Sequence, residues 1–219
     1  MGPVLILRAH GVRNGLHCEK RETPMPISRR ELLTSMLASG LLPGRQALAL
    51  SGEPFPVFAS DEKAIPYKFR RRDVDYETRE PPGTVIIDAR HRFLYQVLGN
   101  AQATRYGVAV GKAGKSWSGE AVIKRMAKWP VWVPTPEHLA AHPELAKYIH
   151  GMPGGSGNPM GARALYLYQG DVDTTYRIHG SIKPSDIGRT VTAGCISLLN
   201  IDVIHLYDRV GIGTRVVVF

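Results

Sequence analysis

From Pro81-Pro82-Gly83 to Phe219 the apolar residues arrive in short runs that turn residues keep interrupting. Thr84 to Ile87, Phe93 to Val97, Arg105 to Val110, Ala164 to Tyr168, Tyr176 to His179 and Arg215 to Phe219 are rich in β-branched and aromatic side chains. This pattern predicts a mainly β domain whose strands pair antiparallel. Two stretches depart from it. Thr135 is expected to cap a short helix through Pro136-Glu137-His138-Leu139, and Asn200 to cap a helix over Asp202 to Val210, with Val203, Ile204, Leu206 and Val210 on one face. The second helix would pack beneath the turn that precedes it and hold that turn rigid.

That turn contains Cys195, one of two cysteines in the chain, within Thr192-Ala193-Gly194-Cys195-Ile196-Ser197, and it follows the pair His179-Gly180 by fifteen residues. A thiol is a useful nucleophile near neutral pH when an imidazole takes its proton or stabilises the thiolate. The glycine before Cys195 allows a tight turn in which consecutive backbone N–H groups point at a developing oxyanion. Cys195 and His179 are therefore the candidate nucleophile and base for attack on an acyl group.

The stretch from Tyr176 to Asn200 resembles the active-site region of the L,D-transpeptidase (YkuD) family, also met as the ErfK-YbiS-YcfS-YnhG group. The family pattern is His-Gly or His-Ser, then Ser/Thr-x-Gly-Cys about fifteen residues on, and this chain supplies His179, Gly180, Thr192, Gly194, Cys195 and Asn200. Upstream, Thr104 to Gly111, Trp117-Ser118-Gly119, Trp129-Pro130, Trp132 and Pro134-Thr135-Pro136 continue the likeness, which covers roughly residues 82 to 219. The resemblance implies an antiparallel β-sandwich with a few short helices, one of them following the catalytic cysteine. Two positions depart from it: Ala193 stands where the family often has His or Ser, and Ser197 where Arg is common. Guanidinium suits a substrate carboxylate in a way a hydroxyl does not, so Ser197 marks a changed substrate subsite, and Lys183, Arg189 or Arg177 are the cations available to replace it.

The front of the chain speaks to the compartment. Ser28-Arg29-Arg30-Glu31-Leu32-Leu33, the apolar run Leu32 to Leu42 and Ala47-Leu48-Ala49 read as the charged, apolar and cleavage regions of a twin-arginine signal peptide, for which Met25 is a more usual start than Met1. The eleven-residue run would rise about 16 Å as a helix against a hydrocarbon layer of about 30 Å, so a permanent membrane span is not expected. Residues 1–49 form this presequence, 50–81 an extended arm or linker, and 82–219 the catalytic domain. The presequence holds seven Lys/Arg and three Asp/Glu, so the chain's 28 and 19 fall to 21 and 16 on cleavage and the net charge from +9 to +5. Cys18 leaves with the presequence, so Cys195 is then a lone thiol that must be buried or used. In the arm, the basic run Lys68 to Arg72 is nearly balanced by Asp73, Asp75, Glu77 and Glu80 and lacks a nucleic-acid motif, so nucleic acid is not an expected partner.

Several apparent motifs carry no function. Gly111 to Ser116 ends like a phosphate loop, but Ala109 stands where that motif needs its first glycine, and a hairpin turn is expected. His138 and His142 have the spacing of helical metal ligands without the glutamate of a metalloprotease, and His205 reads as a partly buried structural histidine. Gly151 to Gly161, with five glycines and two prolines, is a loop; by the resemblance it borders the substrate cleft, with Asn158 and Ser156 able to hydrogen-bond a peptide stem.

The resemblance implies a periplasmic, carbapenem-sensitive enzyme of peptidoglycan biosynthesis. Cys195 would form a thioester on a stem tetrapeptide, with His179 as base and acid and the Gly194 and Cys195 N–H groups as oxyanion donors. A backbone carbonyl, of Gly180 or Ser181, would orient the imidazole. Ser197, Thr192, Arg177, Asn158 and Ser156 are the expected substrate contacts, and no metal or organic cofactor is required. The acceptor stays open: a second stem amine gives a 3→3 cross-link, an outer-membrane protein or lipoprotein an anchor, a D-amino acid exchange, and water L,D-carboxypeptidase activity. A catalytically weak peptidoglycan-binding module is the reading from another class.

Overall fold

The computed structural model describes residues 49–112, 117–192 and 194–219. The expected signal peptide with Cys18, the turn over 113–116 and Ala193 lie outside them. Residues Ala47–Phe219 form a compact unit built mainly from β-strands. In chain order these are β1 (Arg72–Asp75), β2 (Val85–Asp88), β3 (Phe93–Gly99), β4 (Gln102–Gly107), β5 (Val110–Gly111), β6 (Gly119–Lys128), β7 (Arg163–Gln169), β8 (Val172–Ser181), β9 (Thr190–Thr192), β10 (Ile196–Leu199) and β11 (Arg215–Val218). Among the described residues the α-helices are α1 (Pro136–Ala141) and α2 (Asn200–Tyr207), the latter directly after β10.

Nine strands hydrogen-bond in the order β1-β4-β3-β2-β11-β6-β7-β8-β10, and β5 and β9 make a separate pair. The expected antiparallel pairing holds for most neighbours, but β11 runs parallel to β2, β10 parallel to β8, and β5 parallel to β9. The parallel β8–β10 pair has a direct cause. The chain between them, 182–195, makes a 3-10 turn at Pro184–Asp186 and β9, which is length enough for a crossover where a hairpin would force antiparallel pairing. A backbone bridge between Ala109 and Ser197 then joins the β4 side of the sheet to β10.

Alternation fills one core. Val85, Ile87, Leu94, Tyr106, Ile123, Leu165, Leu167, Ile178, Leu198 and Val216 are fully buried and pack in a single cluster with Val203 and Leu206 of α2. A second cluster of Ile65, Phe69, Ile187 and Leu199 lies beside it.

Phe69 shows that residues 50–81, read from sequence as an extended arm, are folded onto the unit. They make 3-10 turns at Ala59–Ala64 and Tyr67–Phe69, and β1 pairs with β4. Val57, Ile65 and Phe69 supply the apolar burial that prolines and clustered charges hide in the sequence. Among the described residues three ion pairs fasten the segment: Glu53 to Arg163 of β7, Arg71 to Asp202 of α2 at 2.8 Å, and Glu80 to Arg215 of β11 at 2.7 Å.

Candidate active site

β8 ends in the sequence Ile178-His179-Gly180-Ser181, and its parallel register with β10 sets Ser197 opposite His179. On its other side Ser197 is clamped by Ala109, whose N–H donates to Ser197 O at 2.8 Å and whose O accepts from Ser197 N at 2.9 Å. His179 and Cys195 both line one cavity of about 500 Å³. Trp132, His138, His142, Glu144, Met160, Lys183, Asp186, Thr192 and Ser197 are among its other walls.

His179 is 9% exposed, and its Nδ1 donates to Gly180 O at 2.7 Å. Of the two carbonyls expected to orient the ring, it is therefore Gly180 that does so. Nδ1 being the donor, the neutral ring presents its lone pair at Nε2. Burial holds the His179 pKa down at about 4, with the Gly180 carbonyl opposing and the Arg177 charge adding to the shift. Burial likewise pushes the Cys195 thiol up, against a backbone hydrogen bond and a charge from Arg177 that favour the thiolate. Burial thus drives both the thiol and the imidazole toward their neutral forms.

The turn that carries Cys195 is tied by Thr192, whose hydroxyl donates to Cys195 O at 2.6 Å and accepts from Gly194 N at 3.3 Å. Gly194 has φ 139, a conformation that side chains rarely adopt. Gly180 is required for another reason. A Cβ there would lie 2.1 Å from Asn200 Oδ1, and that oxygen accepts from Ala162 N at 2.8 Å. Asn200 is thus not the cap foreseen for α2, whose N-cap is Leu199 without a side-chain bond. Its carboxamide instead pins the start of β7 under the His179-Gly180 pair. The capping motif and the pin use the same residue type, and only the tertiary contact tells them apart.

Several other expected residues are in different places. Asn158 is buried and turns inward: Nδ2 donates to Pro130 O, Met152 O and Pro153 O at 2.9–3.0 Å, and Oδ1 accepts from Met160 N. It organises the loop and has no donor left for a stem peptide. Ser156 is exposed and does not line the cavity. Arg177 is held in a two-pronged pair with Asp173 at 2.7 and 2.8 Å and lies over the Tyr166 ring, away from the cavity lining. Of the three cations considered, only Lys183 lines the cavity. Ser181 is also on its wall and makes a local turn with Lys183. Ser197 lines the cavity but is 5% exposed, and its Oγ lies 3.2 Å from His179 Nε2.

His138 completes a capping box with Thr135 at the start of α1, as the sequence suggested for Thr135, and His142 pairs with Glu144. His205 meets the buried Tyr106 hydroxyl at 2.9 Å, in keeping with a structural role.

Residues 82–218 match the YkuD family, the L,D-transpeptidase catalytic domain. The chain belongs to this family. Among its relatives is the protein named Probable L,D-transpeptidase ErfK/SrfK of Salmonella typhimurium, 34% identical over 137 residues, which are 61% of this chain and 43% of that protein. Probable L,D-transpeptidase YbiS of Escherichia coli K12 is 33% identical over 142 residues, with the same two coverages. The chain thus spans less than half the length of these relatives. A crystal structure from Brucella melitensis, described as a probable carnitine operon oxidoreductase caia, is 46% identical and covers 73% of this chain and 99% of that one at a TM-score of 0.49. At that score the likeness carries no argument about activity. Among the described residues of this L,D-transpeptidase family member, no helix is long and apolar enough to cross a membrane.

Proposed function

We propose that this chain is a cysteine-dependent L,D-transpeptidase of peptidoglycan, exported by the twin-arginine signal read at residues 28–49. The observation that carries the reading is the junction of Cys195 and His179 on one cavity, with Nδ1 of the ring committed to Gly180 O so that Nε2 is the proton acceptor. The Cys195 thiol attacks the carbonyl of the L-centred third residue of a stem tetrapeptide while His179 Nε2 takes the thiol proton. The bond to the terminal D-alanine breaks, His179 returns the proton to the leaving amine, and a thioester remains. An acceptor amine attacks the thioester and gives its proton to His179, the C–S bond breaks, and His179 passes the proton to Cys195, which leaves as thiol. The Cys195 N–H is the main oxyanion donor. The Gly194 N–H, held only at 3.3 Å by Thr192, is the second. Lys183 is the cation available on the cavity wall for a stem carboxylate.

Mass spectrometry after exposure to a carbapenem and to a tetrapeptide muropeptide tests the reading. One adduct is expected, on Cys195, absent in Cys195→Ala and formed about 10²- to 10⁴-fold more slowly in His179→Ala. Full labelling of Cys195→Ala, or none of a folded wild type, would overturn it. Supplying water alone, a second stem or a D-amino acid in the muropeptide arm identifies the acceptor.

A further inference from the structure

We propose that Ser197 is a positioning residue for His179, a hydroxyl that donates to Nε2 of the neutral ring and accepts from Nε2 of the protonated one. The inference rests on His179 acting as the base. It removes Ser197 from the substrate-binding role its place in the motif suggested.

Three contacts carry it. Nδ1 of His179 is spent on Gly180 O, so the partner at Nε2 must be a donor while the ring is neutral, and that partner is Ser197 Oγ at 3.2 Å. Ser197 cannot drift, because β8 pairs with it on one side and Ala109 bonds its N–H and its C=O on the other. Among the hydrogen bonds of the described residues, none joins Cys195 Sγ to either ring nitrogen, so at rest the lone pair that must take the thiol proton is occupied by Ser197.

Protonation reverses the demand. When the thiol proton moves to Nε2, the new N–H sits in a site that solvates it poorly, and it needs an acceptor. Rotation about the Cβ–Oγ bond turns the same hydroxyl from donor to acceptor without moving a heavy atom. Ser197 itself gives up no proton. A guanidinium or ammonium could only donate, and a methyl could do neither. The charge bearing on the ring is that of the Arg177 guanidinium, which Asp173 already pairs, and Cys195, His138, His142 and Glu144 line the same cavity. Lys183 and Asp186 share the cavity wall.

The test compares wild type with Ser197→Ala and Ser197→Thr. Carbapenem acylation rates are measured from pH 5 to 9, and the ¹⁵N shifts of the His179 ring are followed from pH 7 down to the acid limit of the folded protein, through the titration near 4. Ser197→Ala is expected to acylate about 10- to 100-fold more slowly, the loss of one bond to a charged group. Its His179 pKa should fall further, because the bond lost from the charged ring is stronger than the bond lost from the neutral one. Ser197→Thr keeps the hydroxyl and should recover most of the rate. Wild-type rates and unchanged ring shifts in the Ala variant, or faster acylation in it, would overturn the assignment of Ser197 while leaving the transpeptidase reading intact. Absence of acylation in the wild type would instead strike that reading, and the ring shifts would still report whether Nε2 is bonded to Ser197.

Discussion

Burial drives Cys195 and His179 in the same direction, toward neutrality. The thiol is raised and the imidazole lowered to about 4, so a resting thiolate–imidazolium pair would place two charges where neither is well solvated. Reactivity should therefore not resemble that of a cysteine activated in advance. Alkylation of Cys195 by iodoacetamide is expected to be slow and to climb with pH through the ordinary thiol range and beyond it. A rate plateau between about pH 5 and 8 would mean that the ion pair forms without substrate. The same shift bears on stability. Between about 4 and the unfolded value of 6.5 the unfolded chain binds the His179 proton and the folded one does not, so this contribution rises with pH across that window and is lost as pH falls. Urea midpoints measured from pH 4 to 7 should show a shallower rise in His179→Gln than in wild type. A short motif singled out Cys195 and His179 and narrowed the carbonyl beside the ring to Gly180 or Ser181, and the fold supplies Gly180. The partner at Nε2 was not legible in the sequence, because Ser197 meets His179 only through the β8–β10 register.

At the scale of elements, the loop from Gly151 to Gly161 shows how composition and function part company. Its glycines predicted a loop and the resemblance a border of the substrate cleft, and Gly154 packs so closely that a Cβ there would lie 2.2 Å from Trp129 O. Trp129 itself has φ 45, a strained value for an aromatic residue, held by Glu53 at its Nε1 and by Phe55 against its ring. Three carbonyls share the two N–H bonds of Asn158 at the centre of the loop. Replacing Asn158 by Ala should leave them unmet, at a cost of about 2–3 kcal/mol in urea denaturation. Amide exchange at Met160 and Gly161 should accelerate with it. An unchanged midpoint with weaker substrate binding would instead return Asn158 to the stem-peptide contact its composition suggested. Strand β6 escaped the sequence reading for a comparable reason: Glu120, Lys124, Arg125 and Lys128 dilute its apolar pattern, and only pairing with β7 and β11 makes it a strand. Ala121 and Ile123 of β6 do reach the core, but they are too few among these charges to leave a run to read.

For the whole molecule, the segment 50–81 is part of what holds the site, and Glu53 is where this is concentrated. Its carboxylate accepts from both outer nitrogens of Arg163 and from Trp129 Nε1 at 2.7 Å, joining the segment to β7 and to the stretch that leads into α1. The sequence could not reveal this, since 110 residues separate the two charges and neither lies in a recognisable motif. Arg163 is 3% exposed, so losing its partner strands a guanidinium that cannot reach water. Glu53→Ala is therefore expected to destabilise the protein by about 3–5 kcal/mol, whereas Glu53→Leu combined with Arg163→Met should recover most of that loss. The pH dependence has a fixed sign. The Arg163 hydrogen bond holds the Glu53 carboxyl below its ordinary 4.5, so its contribution is complete above that value and disappears as pH falls through the folded one. Denaturation of the wild type, Glu53→Ala and the double variant at pH 7 and pH 4 checks both claims. A single variant as stable as wild type at pH 7 would show that residues 50–81 merely cover the domain, and the carbapenem acylation rate of that variant would then also be expected to stay unchanged.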